Sequence, residues 1–287
     1  MKKKKTTATL RICCPDRKGL VVAVTQFIRD HNGNIVNLDQ HVDETQDQFL
    51  MRLEWEMEGF DLERATLRER LDTLALPYGM WWSLHFSDEP LRMAIFVSKE
   101  SHCLYDLLAR YEAGELNVEI PLIISNHPDL KAVAERFGIA YYMFPITKAT
   151  KPAQEAAEIE LLRKHDIDLV VMARYMQILS GDFIAAFPNR VINIHHSFLP
   201  AFAGAKPYHS AFKRGVKIIG ATAHYATEDL DEGPIIAQDV QRVSHRESLQ
   251  DFIRQGKDVE KVVLARAVYL HTDHRVIEYS NKTVVFA

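Results

Sequence analysis

The sequence predicts an α/β protein in two parts, a small unit of βαββαβ order and a larger unit built on a mostly parallel sheet. Three observations predict it. The chain has 287 residues, and domains run to about 100–200 residues, so two are expected. Through residue 86, strands of alternating polarity flank two amphipathic helices. Beyond residue 91 the apolar runs become continuous and alternate with helical segments, as in sheets buried on both faces.

Residues 7–14 alternate and read as a strand, and Pro15-Asp16-Arg17-Lys18-Gly19 is turn chemistry. Over residues 20–30, Leu20, Val21, Val24, Phe27 and Ile28 share one helical face. Asn32-Gly33 ends that helix, since both residues tolerate the left-handed conformation. Residues 35–42 and 49–56 are two strands joined by a polar turn, 62–74 a second amphipathic helix, and 81–86 a last strand. This is the ferredoxin-like arrangement. Domain limits follow: 1–86, a polar linker at 87–91 containing Ser87-Asp88-Glu89-Pro90, and 92–287.

In the second part, residues 93–97, 122–125, 169–172 and 191–194 read as buried strands, with helices near 102–111, 128–137 and 152–165. Such alternation implies a Rossmann-like sheet with right-handed crossovers and a ligand crevice beyond the carboxyl ends of its strands.

Composition narrows the function. Hydrophobic residues are 47% and charged residues 26%, with 12 glycines and 11 prolines, values that exclude disordered and fibrous classes. A net charge of −4 argues against sequence-independent nucleic-acid binding; the basic run at residues 2–5 reads as a solvated tail. Three cysteines, two of them the adjacent Cys13 and Cys14, make no disulfide framework, so a reducing cytoplasm is expected. No apolar run follows the N-terminal lysines and none reaches about 18 residues, so neither a signal peptide nor a membrane span is expected.

The informative stretch is Val191-Ile192-Asn193-Ile194-His195-His196-Ser197-Phe198-Leu199-Pro200. Asn193 and His195 are two apart on a strand, so both point to one side, at the end where the crevice is expected. His196 is expected on the other side. An acidic loop, Glu228-Asp229-Leu230-Asp231-Glu232-Gly233-Pro234, follows before a strand at 235–238. Asn, His and Asp together suit carbonyl chemistry: an amide N–H binds a developing oxyanion, imidazole moves protons near pH 7, and a carboxylate orients the imidazolium and a water. Singly, Asn193 could be a turn residue, Asp231 a loop cap, and either histidine a satisfied core residue. Their joint order is what points to catalysis. Thirteen histidines invite a metal, but no metal-ligand spacing is present and none is expected.

The order Asn193-Ile194-His195-His196-Ser197-Phe198-Leu199-Pro200, then His224-Tyr225 and Leu230-Asp231-Glu232-Gly233, resembles the folate-dependent formyltransferases and hydrolases, over about residues 92–287. Arg174-Tyr175-Met176-Gln177-Ile178-Leu179-Ser180 is similar to that family's folate-side segment. The resemblance implies that Asn193 bonds the formyl oxygen, that His195 transfers protons, and that Asp231 orients His195 and a water. It implies a pterin site formed by Met176, Ile178, Leu179, Thr227, Glu228, Asp229 and Leu230. His224 is expected to support Asp231 by a hydrogen bond, with His196, Ser197 and Gly233 as further support. 10-Formyltetrahydrofolate would be the substrate, with no separate cofactor.

Residues 7–86 resemble an ACT domain, on the βαββαβ order, Asp16-Arg17-Lys18-Gly19-Leu20 and Asn32-Gly33-Asn34-Ile35. The resemblance implies side-by-side pairing into a homo-oligomer and an amino-acid effector, methionine or glycine, near Asp16, Gly19 and Asn34. The plainer reading of Asp16 and Gly19 is helix capping and turn formation.

Family members use either an amine or water as acceptor. The purine-synthesis transferase resembled here has a glycine-rich loop after the first strand of this domain, where backbone N–H groups cradle the acceptor phosphate. This chain has Ser98-Lys99-Glu100-Ser101-His102-Cys103 there, without glycine and with an acidic residue. Water is therefore the expected nucleophile, making the chain a hydrolase of a linear amide that balances folate pools and supplies formate for purine synthesis. Transfer to an unphosphorylated amine and a non-catalytic folate- or amino-acid-binding regulator are the alternatives. Cys103 reads as structural filler.

Overall fold

The structure, a computed structural model, describes residues 5–201 and 207–287. Of the basic run at 2–5, residues 2–4 lie outside these; Lys5 pairs with Glu56 at 3.0 Å.

The chain divides into two units. The first contains β1 (Thr7–Pro15), α1 (Leu20–Asp30), β2 (Asn34–Asp43), β3 (Gln48–Glu56), α2 (Arg64–Ala75) and β4 (Trp81–Phe86). Its antiparallel sheet has the order β2-β3-β1-β4. Leu10 sits opposite Leu53 on one side and Leu84 on the other, which aligns the apolar faces. Leu20, Val24 and Ile28 of α1 and Leu67 and Leu71 of α2 cover that face around the fully buried Trp55.

The chain's end departs from the expected division. His274–Tyr279 and Val284–Ala287 group with the first unit, whereas Leu91–Asp273 and Ser280–Thr283 form the second. The physical reason lies in β3, where Phe49, Leu50, Met51, Arg52 and Leu53 are buried in succession rather than alternately. Leu50 packs against Ile277 and Phe286, so the second face of the sheet is covered by the C-terminal residues. Arg52, 1% exposed, is satisfied on that face by Glu54, Asn37 and the His274 carbonyl.

The second unit begins with β5 (Leu91–Val97), α3 (His102–Glu112), β6 (Val118–Ser125), α4 (Lys131–Arg136) and β7 (Ala140–Met143). Then come α5 (Lys151–Lys164), β8 (Leu169–Met172), α6 (Gly181–Ala186), β9 (Val191–His195), α7 (Pro207–Arg214), β10 (Ile218–Tyr225), β11 (Ile235–Arg242) and α8 (Leu249–Thr272). The hairpin β12 (Val276–Tyr279) and β13 (Lys282–Val285) ends the chain. The seven-stranded sheet runs β11-β10-β9-β8-β5-β6-β7. Pairings among β5 to β9 are parallel, and β10 and β11 are antiparallel additions. Every residue of β8 is buried, as expected for a strand covered on both faces.

From β5 the chain moves outward through β6 to β7, then crosses back to β8 and continues to β9. The order therefore reverses between β5 and β8, and such a switch point opens a crevice at the strands' carboxyl ends. The 24-residue α8 is started by a capping box in which Ser248 and Asp251 satisfy each other's backbone N–H groups.

Candidate functional site

Antiparallel pairing of β9 with β10 sets His224 directly opposite Asn193 and Thr222 opposite His195. Asn193, His195 and His224 consequently share one side of the sheet at its ligand-facing end. The segment after β9 is tied down by Thr222: its hydroxyl donates to the Ser197 carbonyl at 2.9 Å and accepts from Leu199 N at 3.0 Å.

The loop between β10 and β11 brings Asp231 to this group. Tyr225 N donates to the Pro234 carbonyl at 2.9 Å, closing the loop at its base. Gly233 makes that closure feasible, because a Cβ there would stand 1.8 Å from the Tyr225 carbonyl oxygen. Asp231 itself has φ +59°, a left-handed conformation that aspartate tolerates better than most residues.

Asp231 Oδ1 lies 3.1 Å from His195 Nδ1. The carboxylate accepts, so Nδ1 carries the proton and Nε2 is left with its lone pair. His195 Nε2 is buried and has no hydrogen-bond partner. Burial alone raises the Asp231 carboxyl, but the hydrogen bond from His195 outweighs it and holds the group well below the usual carboxylate range.

His224 differs from expectation. Its Nε2 is 3.7 Å from Asp231 Oδ1, beyond hydrogen-bond reach, and 3.2 Å from Asn193 Nδ2. Its Nδ1 lies 2.9 Å from the Tyr225 carbonyl. A carbonyl only accepts, so neutral His224 carries its proton on Nδ1 and accepts an Asn193 N–H at Nε2. It orients the Asn193 amide more directly than it supports Asp231.

These residues line a cleft of about 230 Å³. Of the expected folate-side residues, Met176, Ile178, Leu179, Thr227 and Leu230 line it, whereas Glu228 and Asp229 do not. Glu228 lies instead against Gly181, where a Cβ would be 3.2 Å from its carboxyl. The Asp229 carbonyl accepts from Thr227 Oγ1 at 2.9 Å, shaping the loop. Ser197 and Gly233 are also outside the cleft wall. His196 lies within it, contrary to the expected opposite side: β9 ends at His195, alternation stops there, and the two histidine rings come to 5.2 Å.

The segment at 174–180 is fixed from behind. Ser98 Oγ accepts from Met176 N at 3.1 Å and donates to Asn126 Oδ1 at 2.7 Å. Glu155 of α5 accepts from Ser180 N at 3.2 Å. Gln154 donates to Glu158 at 2.6 Å, and the Tyr175 hydroxyl lies 3.4 Å from the same carboxylate oxygen. Burial pushes the Glu158 carboxyl up to about 7. Sequence reasoning missed this support, because buried carboxylates on a helix look like an ordinary solvated face until α5 is placed.

Sequence reasoning also missed a cluster beside the cleft. Glu260 of α8 is 0% exposed; Tyr208 Oη donates to its Oε1 at 2.6 Å, and His102 Nε2 is 2.7 Å from Oε2. Arg174 Nε stands 3.3 Å from Oε2. Burial acts to raise the Glu260 carboxyl, but His102, Arg174 and Tyr208 more than offset it and hold the group low. His102, Cys103 and Glu260 place donor atoms within 4.8 Å of one another, a spacing that could hold a metal ion. The fit is poor: both Glu260 oxygens already accept hydrogen bonds, a guanidinium stands where a cation would be repelled, and burial drives the Cys103 thiol upward, away from its ligating thiolate form.

In the first unit, Asp16 and Gly19 line a hollow of about 170 Å³ together with Arg17, Gln40 and Phe49. Asn34, exposed at the start of β2, is not among its lining residues. The three cysteines are free, and no helix among the described residues is long and apolar enough to cross a membrane.

Comparison with known proteins bears on both units. The formyl transferase family model matches residues 91–268 and the ACT domain model residues 8–75. A formyltetrahydrofolate deformylase from Synechocystis is 58% identical over 281 residues, covering 98% of this chain and 99% of that protein. The crystal structure of a formyltetrahydrofolate deformylase from Pseudomonas syringae superposes with a TM-score of 0.97 at 45% identity, covering 100% of this chain and 96% of that one. A glycinamide ribonucleotide transformylase from Symbiobacterium toebii matches 71% of this chain and 98% of its own at a TM-score of 0.65 and 30% identity.

Proposed function

The chain belongs to the formyltetrahydrofolate deformylase family, and from that membership we infer that it hydrolyses 10-formyltetrahydrofolate to formate and tetrahydrofolate. The observation that carries the reading onto particular atoms is His195 Nε2, buried, unpartnered and next to the cleft, with Nδ1 committed to Asp231.

Folate binds with its pterin along Met176, Ile178, Leu179, Thr227 and Leu230. Asn193, oriented by His224, donates an amide N–H to the formyl oxygen. A water near Asp231 attacks the formyl carbon as its proton passes to His195 Nε2, and the oxyanion is stabilised by Asn193 and the resulting His195 imidazolium, which then carries that proton. The proton passes to N10, the C–N bond breaks, and formate and tetrahydrofolate depart. Asp231, ionised throughout the neutral range, keeps His195 in the required tautomer. The folate is the substrate, and this chemistry needs no further cofactor or metal.

The first unit serves as a sensor and as the surface through which two copies pair. Methionine is expected to activate and glycine to inhibit, with Asp16 meeting the ammonium group in the hollow that Gly19 keeps open. Free thiols fit a cytoplasmic enzyme.

The test is formate release by purified protein without any amine. Formate and tetrahydrofolate in equal amounts, abolished by His195→Ala, are expected. Folate binding without formate release would overturn the hydrolase reading. A flat response to methionine and glycine, or a monomer at working concentration, would remove the sensor and pairing assignments respectively.

A further inference from the structure

The loop that carries Asp231 is tied a second time, from the end of the chain. Asn281 Nδ2 donates to the Glu232 carbonyl at 3.0 Å, and the Thr283 hydroxyl donates to the Ile235 carbonyl. Glu232 follows Asp231 directly, and Ile235 opens β11. The two donors therefore bracket Gly233-Pro234 on the stretch of backbone that leads away from Asp231. All of these residues belong to the second unit.

The turn between β12 and β13 is shaped to present these donors. Two residues, Ser280 and Asn281, join the strands, and both have positive φ, +45° and +58°. Two-residue hairpins favour this backbone, and asparagine adopts it more readily than most residues. The carbonyls on the other side need such donors. β11 is the edge strand of the seven-stranded sheet, and an edge leaves outward carbonyls without a ladder partner. The Glu232 N–H reaches the Asp229 carbonyl at a long 3.4 Å. Asp231, Glu232 and Gly233 border a hollow of about 790 Å³, which Asn281 and Thr283 border as well. Backbone beside a hollow takes less of its position from packed neighbours, so hydrogen bonds to it decide more. Asp231 is itself left-handed at φ +59°, a conformation that a residue with a side chain keeps where its surroundings enforce it.

We propose that Asn281 and Thr283 are positioning residues for the hydrolysis: by fixing the backbone that follows Asp231 they hold its carboxylate on His195 Nδ1. The end of the chain, beyond residue 268 where the formyl transferase match stops, thereby helps to build the reaction centre. This rests on the hydrolase reading above. Neither residue meets the reacting atoms; both act through Asp231.

The test uses substitutions that leave the turn intact. Asn281→Gly keeps a residue at ease with positive φ and removes the amide. Thr283→Val keeps the β-branched shape that suits β13 and removes the hydroxyl. Together they lower kcat about tenfold, with KM for 10-formyltetrahydrofolate changed less than about twofold, since displacement of a reacting group by about 1 Å costs up to on the order of 100-fold. Thr283→Ser, which keeps a hydroxyl, loses much less than Thr283→Val. In an Asp231→Asn background the same pair costs less than about twofold, because the carboxylate it positions is gone. A merely structural defect lowers kcat by the same factor in both backgrounds, and that result overturns the proposal. So does an unchanged kcat, or a rise in KM with kcat kept. A second readout does not need turnover. The ¹⁵N shifts of the His195 ring, assigned by their absence from His195→Ala, report its tautomer. The native ring carries its proton on Nδ1, and the paired variant shows a larger share of the Nε2–H form; an unchanged tautomer overturns the proposal. Absence of formate from the native protein would instead sink the hydrolase reading, while the ring shifts still judge Asn281 and Thr283.

Discussion

Two carboxylates in the second unit, Asp231 and Glu260, are built from similar parts and do different things. Each is held low by an imidazole. Glu260 has a donor on both oxygens and is 0% exposed. Asp231 stands at the edge of the cleft, and both imidazoles approach the same oxygen, Oδ1. The imidazole it orients keeps a buried, unpartnered Nε2. A carboxylate whose hydrogen bonds all close inward becomes a fixture. One that orients a neighbour whose ring nitrogen stays unpaired beside a cleft is, in the proposed mechanism, part of the reaction centre. Paired burial is costly in both cases, so the difference lies in what is left unsatisfied and where.

The largest expected effect tests the open cluster. His195→Ala and Asp231→Asn should each lower kcat by roughly 10²–10⁴ with folate affinity largely kept, read by steady-state formate release and by equilibrium folate titration. Native-like turnover in either variant would erase the distinction between the two carboxylates. Next comes the loop that carries Asp231. A Cβ at Gly233 meets the Tyr225 carbonyl at 1.8 Å, so Gly233→Ala should cost about 1–3 kcal/mol, as overpacked sites do. Denaturant unfolding measures that cost, and kcat should fall with it; an unperturbed midpoint would mean that the loop closes in another way.

A smaller effect separates the two roles open to His224. If it acts by orienting Asn193, His224→Ala should lower kcat by about tenfold and add little on top of Asn193→Ala. Additive losses in that double-mutant cycle would return His224 to Asp231.

Glu158, whose expected effect is on stability and not on turnover, gives the sharpest contrast, being a buried carboxylate whose close partners, Gln154 and Tyr175, are neutral. Its pKa is raised from 4.5 to about 7, chiefly by burial. Between those values the unfolded chain releases a proton that the folded chain keeps. Stability contributed by the protonated group is therefore complete below pH 4.5 and is lost as pH rises through about 7. Glu158→Gln should accordingly gain stability relative to the native protein on going from pH 5 to pH 8, by on the order of 1–3 kcal/mol. Thermal unfolding at the two pH values reads this, and an unchanged gap would show that a charged partner is not what distinguishes Asp231 and Glu260 from Glu158.

Much of the site was legible because its residues obey strand arithmetic. Asn193 and His195 are two apart, and a period of two leaves them no choice but a common side. Asp231 was legible only through its company, the Leu230-Asp231-Glu232-Gly233 run before a strand. Where alternation ended, so did legibility: His196 follows the last residue of β9 and turns into the cleft. Glu228 and Asp229 share the loop with Asp231, but loop residues have no period, and these two serve the loop rather than the cleft.

The sequence by itself determined the two folds, the order of their elements and the residue types that meet at the cleft, because periodicity and local turn chemistry depend only on near neighbours. Tertiary structure alone decided which distant residues meet. It set Glu260 beside His102 across more than 150 positions of chain, placed His224 on Asn193 rather than on Asp231, and laid the C-terminal residues over the second face of the first sheet. A buried charge or a doubly buried strand needs a partner, and which partner it finds follows from packing, which no local pattern encodes.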